Sequence, residues 1–348
     1  DVYKRQNWDI DIYYKEKMWK IDDVQSIEVV DQGPVRSTLR IERKFLESTI
    51  VQNIHIYNDI ERVDFETVID WKERDVLVKT AFPVEINASE ATYEIQYGNV
   101  TRPTHNNTSW DVAAFEVCGH KWADLSEGDF GVSLLNNCKY GHDIKDGNMR
   151  LTLLKSSCDP NPDADKEVHH LTYSIYSHNG DWKEGQTSQK AYELNTPFIT
   201  TVEEAHKGEL PSTLSLAKVD KDNVMIEVIK KAEDSDDLIL RMYEFHNKRS
   251  DVTLEFFKDV KEIKECNLLE KDLEELGYKT DTTKLLGHPE LIQGEYFEEC
   301  EGVARKNLYY GSAPIKYGDL KGEIRENAKD WILLMQMSEF EFEDYGLY

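Results

Sequence analysis

Nowhere in the 348 residues does an apolar run approach the roughly 18 residues that a membrane-crossing helix requires. Positive charge is scarce: 42 Lys and Arg face 68 Asp and Glu, a formal net charge of −26. A surface of that sign repels phosphate, so neither nucleic acid nor an anionic membrane is expected as partner. The five cysteines (Cys118, Cys138, Cys158, Cys266, Cys300) are odd in number, scattered and never spaced as CxxC. That spacing excludes a zinc knuckle or thioredoxin-like pair and fits reduced, partly buried thiols. The opening DVYKRQ has no apolar stretch and no small-residue cleavage site, so no secretory signal is expected there and the protein is expected to be cytoplasmic. On that expectation the sequons at Asn87, Asn106 and Asn107 are chance matches. Gly-X-Ser-X-Gly, P-loop and GxGxxG spacings are missing as well, which leaves hydrolase-elbow and nucleotide-binding readings unsupported. The acidic loop Asp159–Glu167 lacks the DxDxDG order of a calcium loop and reads as a solvated turn.

The length suffices for two or three compact units. From Val24 to Ile86 hydrophobicity mostly alternates with period two and is rich in Val, Ile, Thr and aromatics. SIEVVDQGPVRSTLRIERKF predicts two strands around Asp31-Gln32-Gly33-Pro34, and STIVQNIHIYN with ERVDFETVIDW predicts two more around Asn58-Asp59. Such alternation belongs to antiparallel sheets with one packed and one wet face. Further strands are predicted at Ala91–Tyr97, Phe115–Trp122, Gly131–Asn136, Met149–Lys155 and His170–His178, with a helix over Asp181–Glu193. Many short strands punctuated by Gly, Asn and Pro imply stacked sheets. Alternation returns after Leu214 in VMIEVIKKAE, DLILRMYEFHN and VTLEFFKDVKEIKECNL, as expected of a smaller second sandwich. Tyr13–Trp19 reads as an irregular entry segment, and Glu270–Glu275 as charged and helix-like with no closing strand after it.

Three pieces are denser in aromatic, cationic and amide side chains than folding requires: YEIQYGNVTRPTHNNTSWD (Tyr93–Asp111), FEVCGHKW (Phe115–Trp122) and NNCKYGHD (Asn136–Asp143). Together with NWDIDIYYKEKMWK (Asn7–Lys20) and DFETVIDWKERDVLVKTAFPVE (Asp64–Glu85), they resemble the C-terminal β-domain of family 38 α-mannosidases of the cytosolic and bacterial branch. The resemblance implies a mainly all-β chain: a large antiparallel β-sandwich of the galactose-mutarotase-like supersandwich kind, then a smaller β-sandwich, then a short α+β appendage. The expected boundaries are 1–20 for the irregular segment, 21–212 for the large sandwich, 213–276 for the small one and 277–348 for the appendage. Within that appendage, KLLGHPELIQGEYFEECE (Lys284–Glu301) and DWILLMQMSEFEFEDYGLY (Asp330–Tyr348) resemble a truncated part of the YwqG-like proteins. The chain is therefore expected to be a composite, whether a natural fusion or a product of sequence assembly.

The resemblance also implies chemistry. Members of the family hydrolyse α-linked mannose in oligosaccharides with retention, which needs two carboxyl groups about 5 Å apart. They use zinc, bound by a His-X-Asp pair, a nucleophilic Asp and a later His in an upstream domain, as template and Lewis acid. No His-X-Asp occurs in this chain; His142-Asp143 are adjacent, and neighbours on a strand face opposite ways. The expectation is a supporting β-domain with no catalytic residue and no metal of its own. The partners it implies are mannose-containing oligosaccharide and the missing N-terminal catalytic domain, with homo-oligomerisation of the full-length enzyme left open. Candidate substrate contacts are Arg102, His105, Asn106, Trp110, Lys139, Tyr140 and Asp143, because sugars favour planar donors, amides and aromatic faces. For Trp110 and Tyr140 the cover of a loop core is an equal alternative, and for Arg102 an ion pair with Asp111. Glu94 and Asp111 read as partners of nearby cations, and His120-Lys121 as strand residues at a surface or domain contact. The competing class is a non-catalytic carbohydrate-binding β-sandwich module.

Overall fold

The computed structural model describes residue 10, residues 12–158, 161–205, 207–208, 211–258 and 260–272, and the backbone of 330–337. Two compact units emerge, one formed by Asp1–Glu94 with Thr101–Ile199, the other by Ile95–Val100 with Thr200–Tyr348.

The first unit begins with a single 3-10 turn, Ile12–Glu16. Four strands then run up and down: β1 (Asp23–Gln32), β2 (Arg36–Phe45), β3 (Ser48–Tyr57) and β4 (Arg62–Asp70). Their turns fall where Gln-Gly-Pro and Asn-Asp forecast them, since these residues favour turn backbone over ladder pairing. The chain continues through β5 (Val78–Pro83), β6 (Glu90–Ile95), β7 (Gly98–Pro103), a short helix α1 (Ser109–Ala113), β8 (Val117–Cys118), β9 (Trp122–Glu127), β10 (Phe130–Asn136), β11 (Gly141–Lys145), β12 (Asn148–Leu154), β13 (Val168–Asn179) and helix α2 (Thr187–Asn195). One sheet has nine strands in the order β1-β2-β3-β4-β13-β10-β9-β6-β7, the other four in the order β5-β12-β11-β8. The strands pair antiparallel, for example Ile54↔Phe65 and Leu134↔Ala123.

The sheets meet through aromatic rings: Phe65 and Tyr173 of the large sheet lie 5.5 Å and 6.1 Å from Phe82 of the small one. Helix α2 and its lead-in cover the other face of β9 and β10, with Trp182 5.0 Å from Trp122. Strand β10 is therefore buried on both sides after Phe130, while β1, at the sheet's end, exposes Val24, Ile27, Val29 and Val30. Asp181 starts the helical region by accepting from the backbone of Lys183 (2.8 Å) and Glu184 (3.1 Å), which places the regular helix later than the sequence forecast. The acidic loop is less solvated than forecast, because the Asp165 carboxylate accepts from the backbone N–H groups of Lys155 and Ser156.

The second unit holds β14 (Ala217–Val219) paired with β17 (Leu254–Phe256), and a sheet β15-β16-β19-β18. Here β15 is Val224–Lys231, β16 Leu238–Glu244, β18 Val260–Glu265 and β19 Asp330–Met337. Val224, Leu238, Leu240, Met242 and Val252 make its core. The tip between β6 and β7 belongs to this unit, where Tyr97 lies 5.1 Å from Tyr243 and Asn99 donates to the Phe245 carbonyl at 2.8 Å. The absent closing strand is corrected by β19, whose backbone pairs with both β16 and β18. Lys284–Glu301, carrying the first half of the YwqG-like resemblance, lies outside the described residues.

Candidate functional site

Strands β6, β7 and β11 bring an unbroken line of polar and aromatic groups together. The Arg102 guanidinium sits 4.7 Å from the centroid of the Tyr93 ring, a cation–π contact. Tyr93 in turn meets His142 edge to face at 5.9 Å. His142 is fully buried, and burial first, then the charges of Lys79, Arg102 and His120, pushes its pKa down to about 3. It is a neutral imidazole, and both its ring nitrogens lack a hydrogen-bond partner, as does Nη1 of Arg102. Gly119 lets the backbone close over this group: a Cβ there would come within 3.0 Å of the His142 ring and 3.2 Å of Tyr93.

Gly119 also ties the next loop down, its N–H donating to the Tyr140 carbonyl at 3.0 Å. Asn136 Oδ1 accepts from the Lys139 backbone (2.7 Å), while its Nδ2 donates to the His120 carbonyl (2.7 Å). The Tyr140 ring stands 5.2 Å from His120 and remains 55 % exposed, so it covers no core. His120 and Lys121 lie between β8 and β9, not within a strand as forecast, and Lys121 pairs with Glu94 at 3.2 Å.

His105, Asn106 and Trp110 occupy a separate knuckle after β7. Its backbone is fastened from below by buried Lys145, whose Nζ donates to the carbonyls of Pro103 (2.9 Å) and His105 (3.0 Å). Thr108 caps α1 by accepting from the Asp111 backbone, while the Asp111 carboxylate accepts from the Thr108 N–H at 2.9 Å. That reciprocal box satisfies two otherwise orphaned donors. Asp111 lies 3.4 Å from His105 Nδ1, and the forecast pair with Arg102 does not form. Trp110 is 84 % exposed and covers no loop core. Beside His105 runs an open groove of about 610 Å³ lined also by Glu85, Asn87, Glu127 and Asp146.

Asp143 is placed differently from the other candidates, with its side chain 0 % exposed. Its Oδ2 receives Tyr14 Oη (2.9 Å), Lys15 Nζ (3.2 Å) and Arg150 Nη1 (3.3 Å). The Tyr14 hydroxyl is raised above its usual pKa by burial and by this carboxylate. Tyr93, Tyr14, Lys15 and Lys145 were not singled out in the sequence, because their partners lie up to 129 residues away. A Ser–His–Asp group does exist, but Ser133 Oγ (2.7 Å) and His178 Nε2 (2.8 Å) share one oxygen of Asp124, and all three are buried beneath α2. A serine whose hydroxyl is sealed from solvent cannot reach a substrate, so the group is structural.

Comparison with known proteins decides the family. Residues 2–163 match the glycosyl hydrolases family 38 C-terminal domain, and residues 223–291 match the glycosyl hydrolases family 38 C-terminal beta sandwich domain. The chain belongs to family 38, by its C-terminal region. Among curated relatives, Alpha-mannosidase G of Dictyostelium discoideum is 38 % identical over 80 % of this chain and 26 % of its own length. Alpha-mannosidase 2C1 of Mus musculus is 41 % identical over 60 % of the chain and 20 % of its own. This family 38 chain thus spans about a quarter or less of those relatives. In fold it is similar to an alpha-mannosidase from Enterococcus faecalis V583, with TM-score 0.62 at 17 % identity, covering 73 % of this chain and 33 % of that one.

Proposed function

We propose that the chain is the β-domain part of an α-mannosidase that removes α-linked mannose from oligosaccharides with retention, in the cytoplasm. In this reading it builds one wall of the sugar site and carries no catalytic group. The observation that carries it is a set of sugar-compatible side chains gathered in the loops of a family 38 C-terminal β-domain. Arg102, His105, Asn106, Trp110, Lys139 and Tyr140 offer donors, an amide and aromatic faces, while Asp143 shapes β11 from beneath. Among the described residues no three His, Cys, Asp or Glu side chains gather to hold an ion. The described donor set therefore does not fit the zinc that the family implies, and no step is derived through it; in this reading the ion's ligands lie in the catalytic domain. None of the described helices is long and apolar enough to cross a membrane.

The test is an assay of the chain on an aryl α-mannoside with zinc or cobalt added. No turnover is expected. Measurable turnover that persists through purification would overturn the claim that catalysis resides elsewhere. The exposure of Trp110 and Tyr140 favours one second reading, a sugar-binding module that works alone; it would show itself as affinity of the isolated chain for mannose oligosaccharides.

A further inference from the structure

We propose that Ile12–Glu16 is a strap that holds the smaller sheet in register, making the segment that enters the domain and the candidate loops one mechanical unit. The strap has no buried residue of its own, and Ile12 and Tyr13 are exposed. Apolar burial therefore does not hold it. What holds it is Asp143, a carboxylate in the middle of β11 with no solvent contact, which takes two of its three donors, Tyr14 Oη and Lys15 Nζ, from the strap. A carboxylate sunk in a sheet is costly unless paired. Its other oxygen, Oδ1, is buried with no hydrogen-bond partner, so the Oδ2 contacts carry the compensation.

The contacts continue beyond Asp143. The Tyr14 ring lies 5.9 Å from Phe115, just before β8, and 5.3 Å below Nζ of Lys79 on β5. Lys79 pairs with Glu116, which also accepts from Thr152 Oγ1 of β12 at 2.8 Å. Glu116 fills the space above Gly141 that a side chain would need. The strap thus bears, directly or through one neighbour, on β5, β11 and β12 and, through Phe115 and Glu116, on the residues that lead into β8. Two of them border the candidate loops: β8 follows the His105–Trp110 knuckle, and β11 follows Lys139-Tyr140. A pull on the strap is transmitted to both loops. That these loops meet sugar rests on the function proposed above; the coupling itself does not.

Hydrogen exchange on the full chain reads the coupling without any sugar present. In the double variant Tyr14→Phe, Lys15→Gln, the amides of Val117–Gly119 and Gly141–Ile144 should exchange at least tenfold faster, with those of β2–β4 unchanged. Trypsin should also cut sooner after Lys17. Faster cutting with unchanged β8 and β11 exchange would mean that the segment merely rests on the sheet, which overturns the proposal. An equal rise across β2–β4 would overturn it too, because the loss would then be global. Should the double variant fail to fold, Tyr14→Phe alone keeps the ring and loses only the hydroxyl bond; several-fold faster exchange at Gly141–Ile144 is expected, and no change there overturns the strap.

Discussion

The two groups of candidate residues are built in opposite ways. The knuckle carrying His105, Asn106 and Trp110 satisfies its backbone by its own capping box and by Lys145 beneath, leaving the side chains outward. The β11 group (Asp143, His142 and, through Gly119, Tyr140) is instead woven into the sheet, with a buried charge and a buried imidazole whose ring nitrogens have no partner. The difference teaches where sensitivity to change should lie. Side chains that face outward from a self-satisfied loop are free to serve a partner at little cost to stability. Side chains that hold buried charge in balance cannot be altered without disturbing the sheet.

The contrast is broken most strongly by Asp143→Ala. It leaves the Tyr14 hydroxyl beside a void, while Lys15 and Arg150, 46 % and 26 % exposed, can turn to solvent. A loss of about 2–3 kcal/mol is expected from the void and the stranded donor, and denaturant unfolding should show it. Gly141→Ala comes next. The new methyl would collide with Glu116, which cannot step aside freely because Lys79 and Thr152 hold it. A loss of about 1–3 kcal/mol is expected, as for other overpacked sites.

The third test is the pH dependence of unfolding. His142 has a folded pKa near 3, well below its unfolded value, so the unfolded chain binds the proton first on acidification. Stability is therefore full above about pH 6.5 and falls as pH drops toward 3, by about 1.4 kcal/mol per pH unit at most from this residue. His142→Phe should flatten that slope. His178 acts with the opposite sign: burial opposes its charging, but the hydrogen bond and charge of Asp124 raise its pKa overall. Its contribution is present below the unfolded pKa and fades as pH rises through the folded one. The smallest effect is expected for Trp110→Ala, within about 0.5 kcal/mol, as for an exposed side chain with no buried partner. A large loss there would erase the distinction between the two groups.

Much of the fold was legible because the first four strands alternate cleanly and their turns carry Gly-Pro and Asn-Asp. Strands β5 and β7 were missed because each is short and ends in proline, Pro83 and Pro103, which reads as a loop. Strand β11 was missed for another reason: GHDIK is buried on both faces yet contains His142 and Asp143, so neither alternation nor apolarity marks it. The same residue pair shows the limit for the site. Its adjacency spoke against a shared metal on a strand, but nothing local could reveal that Asp143 is held by Tyr14 and Lys15. Strand β19 escaped notice because it joins a sheet whose other strands end at Glu265, far earlier in the chain.

Titration calorimetry of the full chain with mannose oligosaccharides tests most directly whether these loops are one wall of a site. A single wall leaves a sugar mostly solvated, so no binding is expected at sub-millimolar concentration, and Trp110→Ala and Tyr140→Ala should behave as the parent does. Sub-millimolar binding abolished by either substitution would contradict the account and identify a site complete in this chain.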